Sequence, residues 1–198
     1  MQTSDEPWRS DQFYWYDRLV SEAKEWAENL LFGFGVDSEN RAQHLVALMQ
    51  AFVLTSEQQW AIFQDTWTMC DSVPADVLDE LADTLDFSTM GHEHLTGEDF
   101  EFFQALPDVV EVYRGASPDR RKGWAWTTDI ATAESFARGH RRIKVRNGTV
   151  YRGLVSKAEI WTVFTDRNEA EIFTPPWTVR HLRVHSRLTK TLRDVSEP

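Results

Sequence analysis

Three short pieces of the chain decide how the rest is arranged: Val112-Tyr-Arg-Gly115, Trp124-Ala-Trp-Thr-Thr128 and Glu169-Ala-Glu-Ile-Phe173. The first and third combine β-branched or aromatic residues with period-two alternation, the signature of strands. Their polar positions carry the chemistry. Arg114 is a fixed cation at a strand end, Thr127 and Thr128 offer hydroxyls after a second strand, and Glu169 and Glu171 are carboxylates two residues apart. On a strand, that spacing puts both carboxylates on one face.

Working outward from residues 110–176, the C-terminal part reads as strand-rich. Candidate strands cover 109–113, 124–128, 142–145, 150–155, 158–164, 171–173 and 179–184, and Asn147-Gly148 between two alternating runs signals a hairpin. One short helix interrupts them. Asp129 stands at its N-cap, Ile130, Ala133, Phe136 and Ala137 form its apolar face, and Gly139 closes it.

The part before Pro107 is helix-patterned. A first helix spans about 11–31, with Tyr16, Leu19, Trp26 and Leu30 on its stripe and Gly33 and Gly35 ending it. A second begins near Ser38. Thr55 and Gln58 have capping-box spacing for a third, and Pro74 opens a fourth. A loop over 87–97 leads to a short helix that Pro107 stops. The expected class is α+β, with an acidic helical region at 1–107 and a β-rich core at 108–198.

Charge divides the chain at the same place. Residues 1–107 carry a net charge of −17 and residues 108–198 a net charge of +6, within a total of −11. The basic part suits an anionic ligand. Two readings of the split stay open: solvated surfaces that attract each other, or an acidic helical half that contacts the basic half and restrains it.

Other features narrow the function classes. A single cysteine, Cys70, excludes an internal disulfide and a cysteine-rich metal site. His92 and His94 flank Glu93 on a loop, but no third and fourth ligands occur at usable spacing, so no metal is expected. Trp15, Trp26, Trp60 and Trp67 recur at helical spacing and are expected in a core. The acidic, polar start lacks the pattern of a signal peptide, and no apolar run approaches the ~18 residues of a membrane span. A cytoplasmic protein without membrane contact is expected.

The order Tyr-Arg-Gly, then Trp-Thr-Thr leading into Ala133-Glu-Ser-Phe-Ala137, then Glu-Ala-Glu-Ile resembles the NAD-dependent ADP-ribosyltransferases. Their signature is an arginine, a Ser-Thr-Ser segment and a Glu-x-Glu pair. The resemblance covers about residues 109–185 and implies a split β-sandwich that binds NAD as a substrate in a cleft, without a Rossmann glycine loop.

It also implies roles. Arg114, with Gly115 beside it, would hold the dinucleotide phosphate, a task suited to a planar guanidinium. Thr127 would orient the catalytic glutamate and Thr128 would follow it, while Asp129 departs from the third serine. Trp126 and Phe136 would line the pocket. Glu171 would stabilise the cationic sugar of the transition state, and Glu169 would contact the acceptor. Phe164 and Arg167 would recognise that acceptor from the loop 162–168, and Arg138, Arg141 and Arg142 would add contacts.

The resulting expectation is a mono-ADP-ribosyltransferase whose acceptor is a protein, first of all an arginine side chain. A nucleic-acid base and a small molecule are the other acceptors considered. The alternatives are an NAD glycohydrolase and a non-catalytic module that binds protein or nucleic acid on the same fold. The enzymatic expectations require Glu171 and Arg114 to reach one pocket with room between them for a sugar.

Overall fold

A computed structural model describes residues 25, 27, 29–33, 35–71, 73–86, 89–139, 145–166 and 169–188. The chain divides into two compact units, Met1–Thr89 and Met90–Pro198. The class is mixed α+β, with N-terminal helices followed by an antiparallel sheet.

In the first unit, helices α1 (Arg41–Ala51), α2 (Ser56–Trp67) and α3 (Ala75–Thr84) bury Leu45, Trp60, Phe63 and Leu81. The capping box of α2 forms as its spacing predicts. Thr55 Oγ1 accepts from Gln58 N–H, and Gln58 Oε1 accepts from Thr55 N–H. Trp60 and Phe63 meet edge to face at 5.8 Å, and Trp67 joins them at 5.5 Å from Phe63. These aromatics are core, as helical spacing implies. Trp15, Trp26 and most of the first expected helix lie outside the described residues, although Glu25, Ala27 and residues 29–31 are helical.

The second unit opens with a 3-10 turn, Gly91–His94, and helix α4 (Gly97–Ala105). The helix that ends before Pro107 thus falls with the sheet and not with the preceding helices. Its Phe103 and the preceding Leu95 complete an apolar core with Val110, Val112, Trp126, Val155, Ile160, Val163 and Ile172.

The strands are β1 (Val109–Ala116), β2 (Ala125–Thr127), β3 (Thr149–Ser156), β4 (Thr162–Phe164), β5 (Glu171–Phe173) and β6 (Arg180–Arg187). Their order is β4-β5-β2-β1-β3-β6, antiparallel throughout. β1 and β3 pair over eight residues, whereas β1 and β2 meet at the single pair Tyr113↔Thr127. β1 and β2 are thus the most sparsely paired neighbours of this one six-stranded sheet, with a long-stranded half on one side of their junction and a short-stranded half on the other.

Two expected elements differ. β3 has β1 on one edge and β6 on the other, so the Asn147-Gly148 turn does not join it to the hairpin partner expected at 142–145. A strand has only two edges; residues 140–144 are themselves outside the described residues. The strand expected at 158–164 is a 3-10 turn, Lys157–Glu159, followed by the three residues of β4.

Helix α5 (Ile130–Arg138) packs on β1 and β3 at two glycines. A Cβ on Gly115 would lie 1.8 Å from Ala133 O, and one on Gly148 would lie 1.9 Å from Ala137 O. Only hydrogen at these positions lets the helix backbone approach so closely. Asp129 caps α5 through Ala131 N–H at 3.0 Å and Thr132 N–H at 3.1 Å, and Gly139 ends it at φ 103°.

Candidate functional site

Directly paired residues of an antiparallel ladder project from one face. The pairs Phe164↔Glu171, Glu171↔Thr127, Thr127↔Tyr113, Tyr113↔Arg152 and Arg152↔Arg183 therefore form one row across all six strands. Thr127, rather than Thr128, is the partner of Glu171. The hydroxyl of Thr127 donates to Glu169 O at 2.6 Å and accepts from Asp129 N–H at 2.9 Å. It thus fixes the main chain two residues before Glu171 and joins it to the cap of α5.

Glu169 departs from the geometry expected of a strand. β5 begins only at Glu171, and Ala170 adopts φ 44°. A residue in the left-handed region breaks period-two alternation, so the argument that placed Glu169 and Glu171 on the same strand face does not hold. Such a conformation is strained for a side chain larger than glycine's and has to be held by its surroundings. Here Thr128 N–H donates to Ala170 O at 3.1 Å, while Thr127 grips Glu169 O.

Arg114 follows Tyr113 on β1 and so leaves the strand on the opposite side from the row. Its guanidinium then turns toward β2. Trp124 O accepts from Thr174 N–H on the β5 side, so strand alternation turns Ala125 O the other way, toward β1. There it accepts from Arg114 Nη1 at 2.5 Å, in place of a main-chain donor. Arg114 Nε donates to Arg120 O at 3.2 Å. The acid of β1, Glu111, accepts from Tyr113 Oη and Arg152 Nη2.

Gly123 makes this arrangement possible, since a Cβ there would stand 2.4 Å from Arg114 Cζ. Burial pushes the guanidinium's pKa down to about 10, opposed by the nearby Glu171 carboxylate and aided by Arg120. It remains cationic at neutral pH. Two of the five N–H donors of an arginine are engaged by protein carbonyls among the described residues.

The remaining expected residues are placed as follows. Trp126 is 2% exposed, donates from Nε1 to Gly123 O at 2.7 Å and packs in the core, so it supports the site from behind. Gly115 serves the contact with α5. Phe136 is half-buried on α5, and Thr128, two residues before that helix, is also half-buried. Phe164 is buried in β4 and is not a loop contact, because its strand belongs to the sheet. Arg138 pairs with Glu134 at 2.7 Å. Arg141, Arg142 and Arg167 lie outside the described residues.

His92 is stacked on Phe103 at 4.7 Å, with Nδ1 2.8 Å from Ile160 O. Among the described residues no group of three or more His, Cys, Asp or Glu gathers in a way that could hold a metal ion. No helix among them is long and apolar enough to cross a membrane.

Sequence reasoning missed Gly123. A glycine beside a buried tryptophan carries no local pattern, and its role becomes visible only when Arg114 is seen lying against it. Comparison with family models, curated proteins and solved structures finds no match for this chain.

Proposed function

We propose that the chain is an NAD-dependent ADP-ribosyltransferase that uses the junction between β1 and β2. The observation that carries the reading is that the Arg114 guanidinium is anchored on Ala125 O of β2, two residues before Thr127, the strand partner of Glu171, so the cation and the carboxylate come from adjoining strands. A cation for phosphate and an anion for a developing sugar cation are the two charges this reaction needs.

In the proposed reaction, the remaining Arg114 donors bind a phosphate of NAD. The bond between the ribose and the nicotinamide nitrogen breaks, and its electron pair leaves with nicotinamide. Positive charge grows on the sugar. Glu171, accepting from the ribose 2′-hydroxyl, stabilises this charge more in the transition state than in the ground state. An acceptor nucleophile then bonds to the anomeric carbon and loses its proton.

Thr127 keeps the segment before Glu171 in place and is a positioning residue. Glu169, next to the strained Ala170, is the proposed acceptor-side carboxylate. Transfer to a protein arginine is one outcome of this chemistry, and transfer to water would make the protein an NAD glycohydrolase.

The test is incubation of the full chain with labelled NAD and a cell extract, wild type against Glu171→Gln. Nicotinamide release and label attachment are followed by chromatography and mass spectrometry. The wild type is expected to release nicotinamide and the folded variant to lose this activity. Equal release by two folded proteins sinks the mechanism, and release with only free ADP-ribose establishes hydrolysis.

A further inference from the structure

β6 runs out of step with β3, and the irregularity redirects one of its side chains. Val150 pairs with Ser186 and Tyr151 with Val184, so His185 is the extra residue of a bulge. Bulges re-aim side chains. The His185 imidazole meets the Tyr113 ring edge-on, with centroids 5.5 Å apart and planes at 85°. Tyr113 belongs to β1, two strands away and roughly 10 Å off at the usual spacing, so the imidazole leans across β3 to reach it.

Two arginines share the face of that ring. Tyr113 pairs with Arg152, and Arg152 with Arg183; directly paired residues project from one face. Glu111 accepts from both Tyr113 Oη and Arg152 Nη2, and its charge balances Arg152. Arg183 is exposed and makes no hydrogen bond or ion pair among the described residues. Like charges directly opposite destabilise a sheet. The pair Arg152↔Arg183 is therefore a cost to the fold that an anion beside it would offset.

Ser186 adds an unsatisfied polar group. It stands opposite Val150, two residues before Arg152 on β3 and so on the same face. Its Oγ is buried and has no hydrogen-bond partner among the described residues. Buried polar atoms are as a rule bonded, so this hydroxyl, like Arg183, lacks the partner its chemistry calls for.

A phosphate group matches this set. Its three oxygens, with a charge of about −1.5 to −2 at pH 7, can accept from a guanidinium fork, an imidazole N–H and a hydroxyl together. A carboxylate offers two oxygens and one charge, which a single arginine satisfies. We propose that Arg183, Arg152, His185 and Ser186 form a binding site for the phosphate of a phosphomonoester. Arg114 leaves β1 on the opposite side from this row, so the site is separate from the phosphate contact proposed for NAD and does not depend on that reading.

The experiment titrates the full chain with inorganic phosphate at constant ionic strength, by calorimetry and by backbone amide NMR shifts. One phosphate per chain is expected, with the largest shifts at residues 183–186 and 152. Acetate is expected to bind about tenfold or more weakly, having lost one oxygen and one charge. Arg183→Gln, at an exposed position, should weaken phosphate roughly tenfold, as for loss of a charged hydrogen bond, with circular dichroism unchanged. Ser186→Ala should weaken it to a smaller extent. Phosphate is also expected to raise the urea midpoint of the wild type and not that of Arg183→Gln.

Absence of saturable binding overturns the site, as do equal affinity for acetate and unchanged affinity in both variants. Shifts confined to other elements overturn it too. Displacement of phosphate by NAD would show that the two ligands share one site and overturns the separation. Phosphate binding that persists in a protein that never cleaves NAD supports the site and leaves the enzymatic reading to its own test.

Discussion

The two halves of the sheet are built on different principles. β1, β3 and β6 are eight residues long, and β1 and β3 are joined by an uninterrupted ladder under helix α5. β2, β4 and β5 have three residues each. The short half compensates with side chains that bond the main chain. Thr127 holds Glu169 O, Asp99 accepts from Thr165 N–H and Oγ1 at 2.7 Å each, and Thr174 Oγ1 donates to Glu159 O at 2.8 Å. The long half is a scaffold held by its ladder. The short half carries Thr127 and Glu171, which suits strands whose ends and loops can be placed individually, and Arg114 reaches it from β1.

The sharpest way to break this comparison is to attack the scaffold at Gly115. Gly115→Val would drive side-chain carbon into the backbone of α5, at a cost of about 3 kcal/mol or more, read as loss of the folded fraction in urea. A protein that tolerates it would show that α5 is not seated on β1 as described.

Glu171→Gln should do the opposite. It is expected to leave the urea midpoint nearly unchanged and to lower the rate of nicotinamide release on the order of 100-fold or more, comparable with removal of one transition-state hydrogen-bonding group.

Thr127→Val sharpens the contrast, because it removes a buried hydroxyl that serves both Glu169 O and Asp129 N–H. A cost of about 1–3 kcal/mol is expected, with a larger proportional fall in kcat than in substrate affinity. Gly123→Ala should instead displace the Arg114 guanidinium and raise KM for NAD roughly tenfold, an effect on the order of 1.4 kcal/mol. If KM stays the same while stability falls, Arg114 acts only as a brace between β1 and β2.

The smallest effect is expected at the cap of α5. Asp129→Ala should cost about 1 kcal/mol. Hydrogen bonds from the Thr132 hydroxyl, then Ala131 N–H and Thr132 N–H, hold this carboxylate below its ordinary pKa. Its contribution is therefore complete above the unfolded value of ~3.9 and is lost as pH falls through the lower folded value. Asp129→Asn should retain the cap and flatten that part of the acid denaturation curve.

Elements with local causes were legible in the chain. The Thr55–Gln58 capping box, the Asp129 cap, the Gly139 stop and the alternation of β1 depend on neighbours a few residues away, and each forms where its pattern stands. The Asn147-Gly148 hairpin misled because a turn motif says nothing about which strands compete for the edges of β3. The shared face of Glu169 and Glu171 misled because Ala170 takes a backbone conformation that its side chain does not announce, under bonds from residues 127 and 128.

By itself, the sequence determined the helices-then-strands class, the split of charge and the residue types available to a site, since these follow from composition and short-range periodicity. Only the tertiary structure decided that β1 and β2 meet at a single pair, that Arg114 lies beside that junction against Gly123, and that Arg183 shares a row with Glu171. Those outcomes depend on register and close approach between segments far apart in the chain. A hydrogen bond across such a distance is chosen by the whole packed core and leaves no mark in the local pattern at either end.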